Sequence, residues 1–378
     1  MRWPRQVSDQ ARGCVSSVVA NSIGSGTSIL WFRRDLRVHD HPALTAAIMA
    51  SEHVLPVFVV DDALIRGRWP SPNRAWFMLE SLRALDSALR ERGSGLRVLR
   101  GRPAEVLPAF AAEAGVRDMY ITRDYTPYAR RRDKEVARAL DAVGARLHAR
   151  PGLLVAEPEE VATNEGRPFS VFSPFRRRWE SVPPRTVLAA PERISTPADG
   201  ARGSGIPTLD ELGIEAPTAE IIAPGEAAAR GRLEIWADSV AVPAYKVQRD
   251  RLDLDATSRL SQDLRWGLLS PVEVLSRCAG DDPGRAAYAT EICWREFYYH
   301  VLWHHPRLRR TAFQIRFDAL AYRESPSLLH AWQSGRTGYP VVDAAMRQLV
   351  ATGWMHNRAR MIVVDAFPTR DQSEPQLY

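Results

Sequence analysis

The feature that most constrains the fold is a regular alternation of short apolar segments and helix-compatible segments in the first 150 residues. The apolar segments cover 28–32, 54–60, 96–99 and 118–122, and the helix-compatible segments cover 42–51, 73–92, 104–114 and 129–143. Strands that alternate with helices in this way indicate βαβ units. The pattern therefore predicts an α/β domain over residues 28–150, with a doubly wound parallel sheet that carries helices on both faces.

The rest of the chain lacks this alternation. Residues 151–224 are rich in Pro and Gly and have no periodicity, which is typical of a long interdomain linker. After the linker, the segments read as helices separated by Pro and Gly, so we expect an all-α second domain over residues 225–364. At the two ends, we expect residues 1–27 to form a disordered extension and residues 365–378 to form an unrelated polar tail.

The composition excludes several classes of protein. Of the 378 residues, 45% are hydrophobic and 25% are charged, which is ordinary for a globular protein and excludes a wholly disordered one. The longest strongly apolar run, 54–60, is far shorter than the ~20 residues that span a bilayer. Cys14, Cys278 and Cys293 lack the spacing of a disulfide framework or a zinc site, which favours a reducing, cytoplasmic location.

The positive charge is concentrated in the helical half. The whole chain carries a formal charge of +6, and the stretch from Ala289 to Met361 has ten Arg, no Lys and five acidic residues. The planar guanidinium of Arg suits phosphate groups, and Arg interleaved with Trp and Tyr is typical of a nucleic-acid or dinucleotide site. A solvated basic helix face remains the alternative interpretation.

One stretch of the helical half combines aromatic and charged residues. Tyr288, Glu291, Trp294, Arg295 and Tyr298 fall on one stripe of a helix. This mixture makes a poor hydrophobic core but suits a cavity that stacks planar groups and hydrogen-bonds their edges. The alternative is a structural ion pair within an aromatic interface.

Two further segments stand out. Thr257, Ser258 and Ser261 precede a helical pattern, where hydroxyl groups either cap the helix or, together with Arg259, bind a phosphate. Farther on, Gly353 ends one helix, and the next helix carries Asn357 and Met361 four residues apart. The histidines have no second ligand at metal-binding spacing, so we expect no metal site.

Several segments of the chain carry characteristic motifs. They are Trp31-Phe-Arg-Arg-Asp-Leu-Arg-Val-His-Asp40, Thr257-Ser-Arg-Leu-Ser261, Trp294-Arg-Glu-Phe-Tyr298, Thr337-Gly-Tyr-Pro-Val-Val-Asp-Ala-Ala-Met-Arg347 and Trp354-Met-His-Asn-Arg-Ala-Arg-Met361. In their order and spacing, from about Ser28 to about Val364, these motifs resemble the DNA photolyase/cryptochrome family. The resemblance implies a Rossmann-like antenna domain, a long linker and a helical FAD-binding domain. It also implies light-driven electron transfer from reduced FAD to cyclobutane pyrimidine dimers in DNA.

The resemblance assigns roles to individual residues. The implied FAD contacts are Tyr245, Thr257, Ser258, Leu260, Ser261, Arg295, Asn357 and Arg360, and the implied dimer pocket comprises Glu291, Trp294, Asn357, Arg358 and Met361. Relatives that act on six-four photoproducts carry His at the positions of Asn357 and Met361, so this chain is more similar to bacterial class I enzymes for cyclobutane dimers. Asp124 resembles an antenna contact of deazaflavin-type members, which favours 8-hydroxy-5-deazaflavin over methenyltetrahydrofolate as a second chromophore.

The resemblance ends after Val364, whereas family members continue beyond this point. Their missing part carries further flavin contacts and two of the three tryptophans that relay electrons from the surface. The position of the third tryptophan is occupied here by Tyr322, which is the candidate for an electron relay. We therefore expect a truncated domain. Uncovering on the order of 1,000 Å² of apolar surface would forfeit ~25 kcal/mol, against a usual net stability of ~5–15 kcal/mol. On this reasoning the helical half is destabilised and binds FAD weakly or not at all.

Two other functions remain open at this point. A cryptochrome-like FAD sensor of blue light would use the same cofactor domain for signalling. An α/β nucleotide-binding module is the third hypothesis, although no GxGxxG or P-loop pattern marks a phosphate site in the first domain. In the leading interpretation we expect a monomer that binds damaged DNA and has no membrane association.

Overall fold

The computed structural model describes residues 26–67, 70–197, 203–319 and 325–366. Five strands form one parallel sheet with the order β3-β2-β1-β4-β5. Their bounds are β1 (Thr27–Phe32), β2 (His53–Val60), β3 (Arg97–Arg100), β4 (Asp118–Thr122) and β5 (Arg146–Arg150). The register places Ile29 of β1 opposite Leu55 of β2 and Met119 of β4. The order reverses between β1 and β4, as in doubly wound folds.

Helices cover both faces of the sheet. They are α1 (Pro42–Ala50), α2 (Asp62–Ile65), α3 (Pro72–Arg90), α4 (Pro103–Glu113) and α5 (Pro127–Asp141). The hydroxyls of Ser71 and Thr126 cap α3 and α5, each followed by a Pro at the first helical position. Because successive strand residues point to opposite faces, Ile29 and Trp31 pack in one core and Leu30 and Phe32 in another. The predicted fold class is confirmed.

The segment from 151 to 224 is irregular but well anchored. It contains α6 (Phe172–Trp179) and one short 3-10 turn (Asp210–Leu212). Its backbone hydrogen-bonds along the α/β domain: the amide of Ile194 donates to Arg92, and the amide of Val54 donates to Ser195. The segment is therefore part of the packed structure, and α6 carries buried side chains into the helical half.

The second half consists of helices. Their bounds are α7 (Glu226–Ala237), α8 (Ala241–Gln248), α9 (Ser261–Trp266), α10 (Pro271–Arg277), α11 (Pro283–His304), α12 (Pro326–Gln333), α13 (Pro340–Thr352) and α14 (Asn357–Asp365). The long helix α11 is capped by Asp282, whose carboxylate accepts from the amide of Arg285 at 2.8 Å. It packs closely on α8 at Gly284, where a Cβ atom would collide with the carbonyl oxygens of Val242 and Pro243.

A buried polar network fixes the helical half against the α/β domain. The guanidinium of Arg37, which is 1% exposed, donates to the carbonyl of Gly267 at 2.9 Å and to that of Gly152 at 3.1 Å. In the other direction, Glu226 at the start of α7 accepts from the amides of Val38 and His39 at 2.7 and 2.8 Å. Buried charges persist only when they are paired in this way, so the network sets the relative position of the two halves.

The last three helices have a small core of their own. It comprises Val342, Ala345, Met346, Met355, Ala359 and Val363. Polar contacts connect this unit to the rest of the protein: the amide of Glu220 donates to Ala351 at 2.8 Å, and Arg358 pairs with Asp250 at 2.8 Å. The unit from α12 to α14 is therefore joined to the end of α8 by an ion pair and to the irregular segment by a backbone hydrogen bond.

Candidate active site

The stripe on α11 runs from the core to the surface. Tyr288 is 4% exposed, Glu291 and Trp294 are half-buried, and Tyr298 is 56% exposed. The interpretation of the whole stripe as a cavity lining is wrong at its buried end. Tyr288 packs there edge-on against Tyr245, with ring centroids 5.3 Å apart, and belongs to the main hydrophobic core.

The hydroxyl-rich segment does not cap a helix. The helix α9 starts at Ser261, and its N-cap is Leu260, which makes no side-chain cap hydrogen bond. Capping by Thr257 or Ser258 is therefore wrong, because both residues precede the position from which a side chain reaches the first turn. The Leu260 side chain is 1% exposed in the core, so only the backbone of this residue can face a ligand.

Two of the predicted FAD contacts carry a buried polar atom that has no hydrogen-bond partner within the described residues, namely Oγ1 of Thr257 and Nη2 of Arg295. Ser258, which follows Thr257, is hydrogen-bonded to the phenol of Tyr288, and burial raises the pKa of that phenol. An unsatisfied buried polar group costs ~1–3 kcal/mol, so the two unpartnered atoms fit a polar ligand that supplies the missing partners.

Arg295 is held at the boundary with the first domain. Its Nη1 donates to the carbonyl of Leu153 at 3.0 Å, and its guanidinium lies over the ring of Tyr299 at 4.9 Å. Nη1 is thus hydrogen-bonded to the protein, whereas Nη2 has no partner among the residues that the structure describes. The side chain is rigidly placed by these contacts and can present one donor to a ligand.

Two adjacent residues at the end of α8 connect α11 and α14. The Nη1 atom of Arg249 lies 2.5 Å from Oε1 of Glu291, and Oδ1 of Asp250 lies 2.8 Å from Nη2 of Arg358. Arg358 also donates to the sulfur of Met361 at 3.3 Å. Three of the predicted pocket residues are therefore brought together across two helices that are distant in sequence.

The electrostatics of this cluster follow from its partial burial. Desolvation raises the pKa of Glu291, and the nearby carboxylate of Asp250 acts in the same direction, while Arg249 and Arg358 oppose both. Sequence analysis missed Arg249 and Asp250, because isolated charges after Tyr245 carry no periodic signal. Their role depends on tertiary pairing.

The other predicted site residues of α14 have contacts of their own or are exposed. Asn357 is the exposed first residue of the helix, and Met361 is 50% exposed one turn later. Arg360 donates from Nε to the carbonyl of Met355 at 3.0 Å. His356 accepts from the amide of Arg358 through Nδ1 at 3.1 Å, so it acts as a helix cap.

Trp294 is stacked by an aromatic residue from the irregular segment. The ring centroids of Trp294 and Phe172 are 3.5 Å apart, and their planes differ by 7°. Tyr298, one turn along α11, is stacked less closely at 5.8 Å and 27°. Sequence analysis missed Phe172 because it lies in the segment interpreted as a linker. The helical run from Phe172 to Trp179 was the available signal.

Asp124 lies at the carboxyl end of β4, where the strand order reverses and α/β sheets commonly bind ligands. It is 8% exposed and accepts from the amide of Thr126 at 3.0 Å, with Arg34 at 3.6 Å. Burial by itself raises the pKa of Asp124, but Arg34, Arg33, Arg132 and the amide of Thr126 together hold it below its usual value. The role of Asp124 as an antenna contact stays a prediction.

Other predictions reach the limits of the described residues. Tyr322, the predicted relay position, lies outside them, as do residues 1–25 and 367–378. Across 26–67, 70–197, 203–319 and 325–366, no group of three His, Cys, Asp or Glu residues is arranged to hold a metal ion. In the same ranges, no helix combines the length and the apolarity that a membrane span requires.

Comparison with known proteins identifies the family. The family profile described as DNA photolyase matches residues 28–194, and the profile of the FAD binding domain of DNA photolyase matches residues 288–371. The deoxyribodipyrimidine photo-lyase of Streptomyces griseus is 37% identical over 338 residues, which are 89% of this chain and 73% of that protein. The chain belongs to the DNA photolyase family. This result confirms the resemblance seen in the motifs.

Further photolyases agree with this assignment. A deoxyribodipyrimidine photo-lyase of Thermus thermophilus is 38% identical, with 89% of this chain and 74% of that protein covered. Among solved structures, a bacterial class III photolyase from Agrobacterium tumefaciens superposes with a TM-score of 0.81 and 32% identity, covering 92% of this chain and 73% of that one. An archaeal photolyase from Sulfolobus tokodaii, solved with two FAD molecules, gives a TM-score of 0.77 and 26% identity, covering 90% and 74%.

Proposed function

We propose that this protein is a deoxyribodipyrimidine photo-lyase, a lyase that splits cyclobutane pyrimidine dimers in DNA and thereby repairs it. The observation that carries the proposal is the convergence of Glu291, Arg358 and Met361 at the end of α8, beside Trp294. An acid, a guanidinium, a thioether and an indole on one surface can bond a base edge, attract phosphate and stack on a planar ring.

FAD is the cofactor implied by the family, and the residues present fit it. Thr257 Oγ1 and Arg295 Nη2 are buried donors without protein partners among the described residues, as a dinucleotide with phosphate and hydroxyl oxygens requires. We propose that Tyr245, Ser258, Ser261 and the Leu260 backbone complete one side of this site, and that Asn357 and Arg360 approach it from α14. When bound, reduced FAD supplies light-driven electron donation to the dimer, and the electron returns after the ring splits.

The protein's own contribution is to bind and orient the lesion. A damaged pair leaves the duplex at low cost, because its stacking and pairing are already weakened. In our proposal Trp294 offers a ring face to the extruded bases, the Glu291 carboxylate accepts from their N–H edge, and Met361 contacts the apolar cyclobutane side. Arg358 neutralises a flanking phosphate, and Asn357 adds an amide at the pocket edge.

We also propose a second chromophore of the 8-hydroxy-5-deazaflavin type in the α/β domain, with Asp124 as a contact. The position of Asp124 at the reversal point of the sheet supports this proposal. The two described cysteines, Cys278 and Cys293, are buried free thiols, which supports a reducing, cytoplasmic location.

The proposal is tested by DNA binding. Two otherwise identical duplexes, one with a single cyclobutane thymine dimer, are titrated with the FAD-reconstituted chain and with a Trp294→Ala variant. We expect the wild type to prefer the damaged duplex, and the variant to lose most of this preference with little change on undamaged DNA. The matched control is Trp76→Phe on α3, in the α/β domain. Equal affinity of the wild type for both duplexes would contradict the proposal.

A further inference from the structure

The stacking of Phe172 on Trp294 is unusually close. Aromatic pairs in proteins commonly have centroids about 4.5–7 Å apart in offset or edge-on arrangements. Here the centroids are 3.5 Å apart and the planes are nearly parallel, at 7°. Phe172 therefore occupies one face of the Trp294 ring, and a base that stacks on this indole has to use the opposite face.

Phe172 is fixed in this position because α6 is anchored to α11 at three further points. Phe175 is 1% exposed and contacts the rings of Phe297 and His300 at 5.2 and 5.1 Å. The indole N–H of Trp179 donates to Oε2 of Glu296 at 2.7 Å. Phe172 itself also contacts Phe297 edge-on at 5.6 Å. The helix thus forms a rigid support behind Trp294.

This support has an energetic consequence for binding. A half-buried indole without a neighbour can rotate between orientations, and ordering it on a ligand costs conformational entropy. Phe172 restricts that rotation before the ligand arrives. The covered face also prevents a base from stacking on the side of Trp294 that Phe172 occupies.

We infer that Phe172 is a positioning residue for lesion recognition, which holds the plane of Trp294 and leaves one face of it for the extruded dimer. This inference rests on the proposed function. Phe172 acts through Trp294 and need not touch the bases or the cofactor. It differs from the pocket residues because it contributes to the discrimination between damaged and undamaged DNA without contributing to the photochemical step.

The test compares three variants of the FAD-reconstituted chain. Phe172→Leu retains an apolar side chain but removes the stacked ring, and Phe172→Tyr restores the ring. Phe175→Leu is the matched control, since it removes a ring from the same helix that contacts Phe297 and His300 rather than Trp294. Each variant is measured for FAD content, thermal unfolding, dissociation constants for the damaged and undamaged duplexes, and repair yield per absorbed photon at saturating DNA.

We expect Phe172→Leu to weaken binding of the damaged duplex about tenfold, with less than about a twofold change on undamaged DNA, because a base–aromatic stack is lost or misoriented. The repair yield at saturation and the FAD content should stay at the wild-type level, and Phe172→Tyr should restore discrimination. Phe175→Leu should lower the unfolding temperature without lowering discrimination.

Two outcomes would overturn the inference. In the first, Phe172→Leu retains the wild-type preference for damaged DNA. In the second, Phe172→Leu and Phe175→Leu lose this preference equally, which would show that the Phe172 ring only stabilises the fold. A wild-type protein with no preference would instead contradict the proposed function itself. The two failures are thus distinguishable within one set of titrations.

Discussion

The carboxylate of Asp250 binds the guanidinium of Arg358 in a fork, with Oδ1 2.8 Å from Nη2 and 3.1 Å from Nε. Its neighbour Arg249 pairs with Glu291 through a single contact, from Nη1 to Oε1 at 2.5 Å. The end of α8 therefore engages both charged groups of the proposed pocket. A DNA phosphate has to compete with Asp250 for Arg358, and a base edge has to compete with Arg249 for Glu291.

The first prediction concerns this competition. Asp250→Asn should tighten DNA binding about two- to fivefold, because an exposed ion pair of ~0.2–1 kcal/mol no longer competes with phosphate. The control is Asp253→Asn, which removes the same charge from a neighbouring acid that pairs with Arg251 instead. Dissociation constants at one fixed salt concentration measure the effect. The competition is refuted if the two variants bind DNA equally tightly.

The second prediction uses the salt dependence of DNA binding. If Arg358 neutralises one phosphate, Arg358→Gln should reduce the slope of log K against log salt by ~0.9. Arg90→Gln provides the comparison, since Arg90 lies at the end of α3 in the α/β domain and is exposed. Titrations at four or more salt concentrations give the slopes. An unchanged slope in Arg358→Gln would remove this residue from the DNA surface.

The third prediction concerns the buried hydroxyl of Thr257. Thr257→Val should raise the free energy of unfolding of the FAD-free chain by ~1–3 kcal/mol, because the variant removes a buried polar atom that has no hydrogen-bond partner. The same variant should bind FAD about tenfold more weakly, since a charge-assisted hydrogen bond is worth ~1.5–3 kcal/mol. Denaturant unfolding and flavin fluorescence titration measure the two effects.

Thr290→Val is the control for that experiment, because the Thr290 hydroxyl already donates to the carbonyl of Ala286 at 2.8 Å. It should neither stabilise the FAD-free chain nor weaken FAD binding to the same extent. A loss of stability in Thr257→Val, with FAD affinity unchanged, would show that the hydroxyl has a structural partner and no ligand.

The fourth prediction concerns Glu296, whose carboxylate accepts from the amides of Val155 and Ala156 and from the indole of Trp179. Burial raises its pKa from 4.5 to about 7, although Arg295 and these donors oppose the shift. Between these two values the folded state holds a proton that the unfolded chain has released. The free energy of unfolding therefore falls as the pH rises through this window, by up to ~3 kcal/mol from this group.

Glu296→Gln should remove that part of the pH dependence, because the amide does not titrate. Denaturant unfolding of the wild type and the variant at half-unit steps from pH 4 to pH 8 gives the difference between their slopes. Glu165→Gln, which replaces an exposed acid, is measured alongside as the control. Parallel curves for the wild type and Glu296→Gln would show that the pKa of Glu296 is not raised in the folded state.

The sequence predicts those elements whose residues have a strong local pattern. The alternation in β1, β2 and β4 and the leucine spacing in α3 are local, and these elements occur as predicted. The strand β5 was missed because Arg146-Leu-His-Ala-Arg150 is a polar, partly exposed edge strand. The helix α6 was missed because Pro and Gly on both sides of it hid a short helical run.

The site was predictable only in part, for a related reason. The stripe of α11 and the pair Asn357 and Met361 follow from helical geometry and from family motifs. The partners of these residues do not, since Arg249, Asp250 and Phe172 meet them only through tertiary packing. The expected instability of the helical half and its weak FAD binding stay predictions, and the third experiment above measures both quantities.

Light-dependent repair by the reconstituted chain tests the central claim most directly. The purified protein is incubated with an excess of FAD under reducing conditions, so that weak cofactor binding is offset by mass action. A duplex with one cyclobutane thymine dimer is then irradiated with blue light, and the intact thymines are quantified. We predict restoration of the thymines that requires protein, FAD and light together and is reduced at least tenfold in Glu291→Ala. Saturable flavin binding without any loss of dimers in the light would contradict the account.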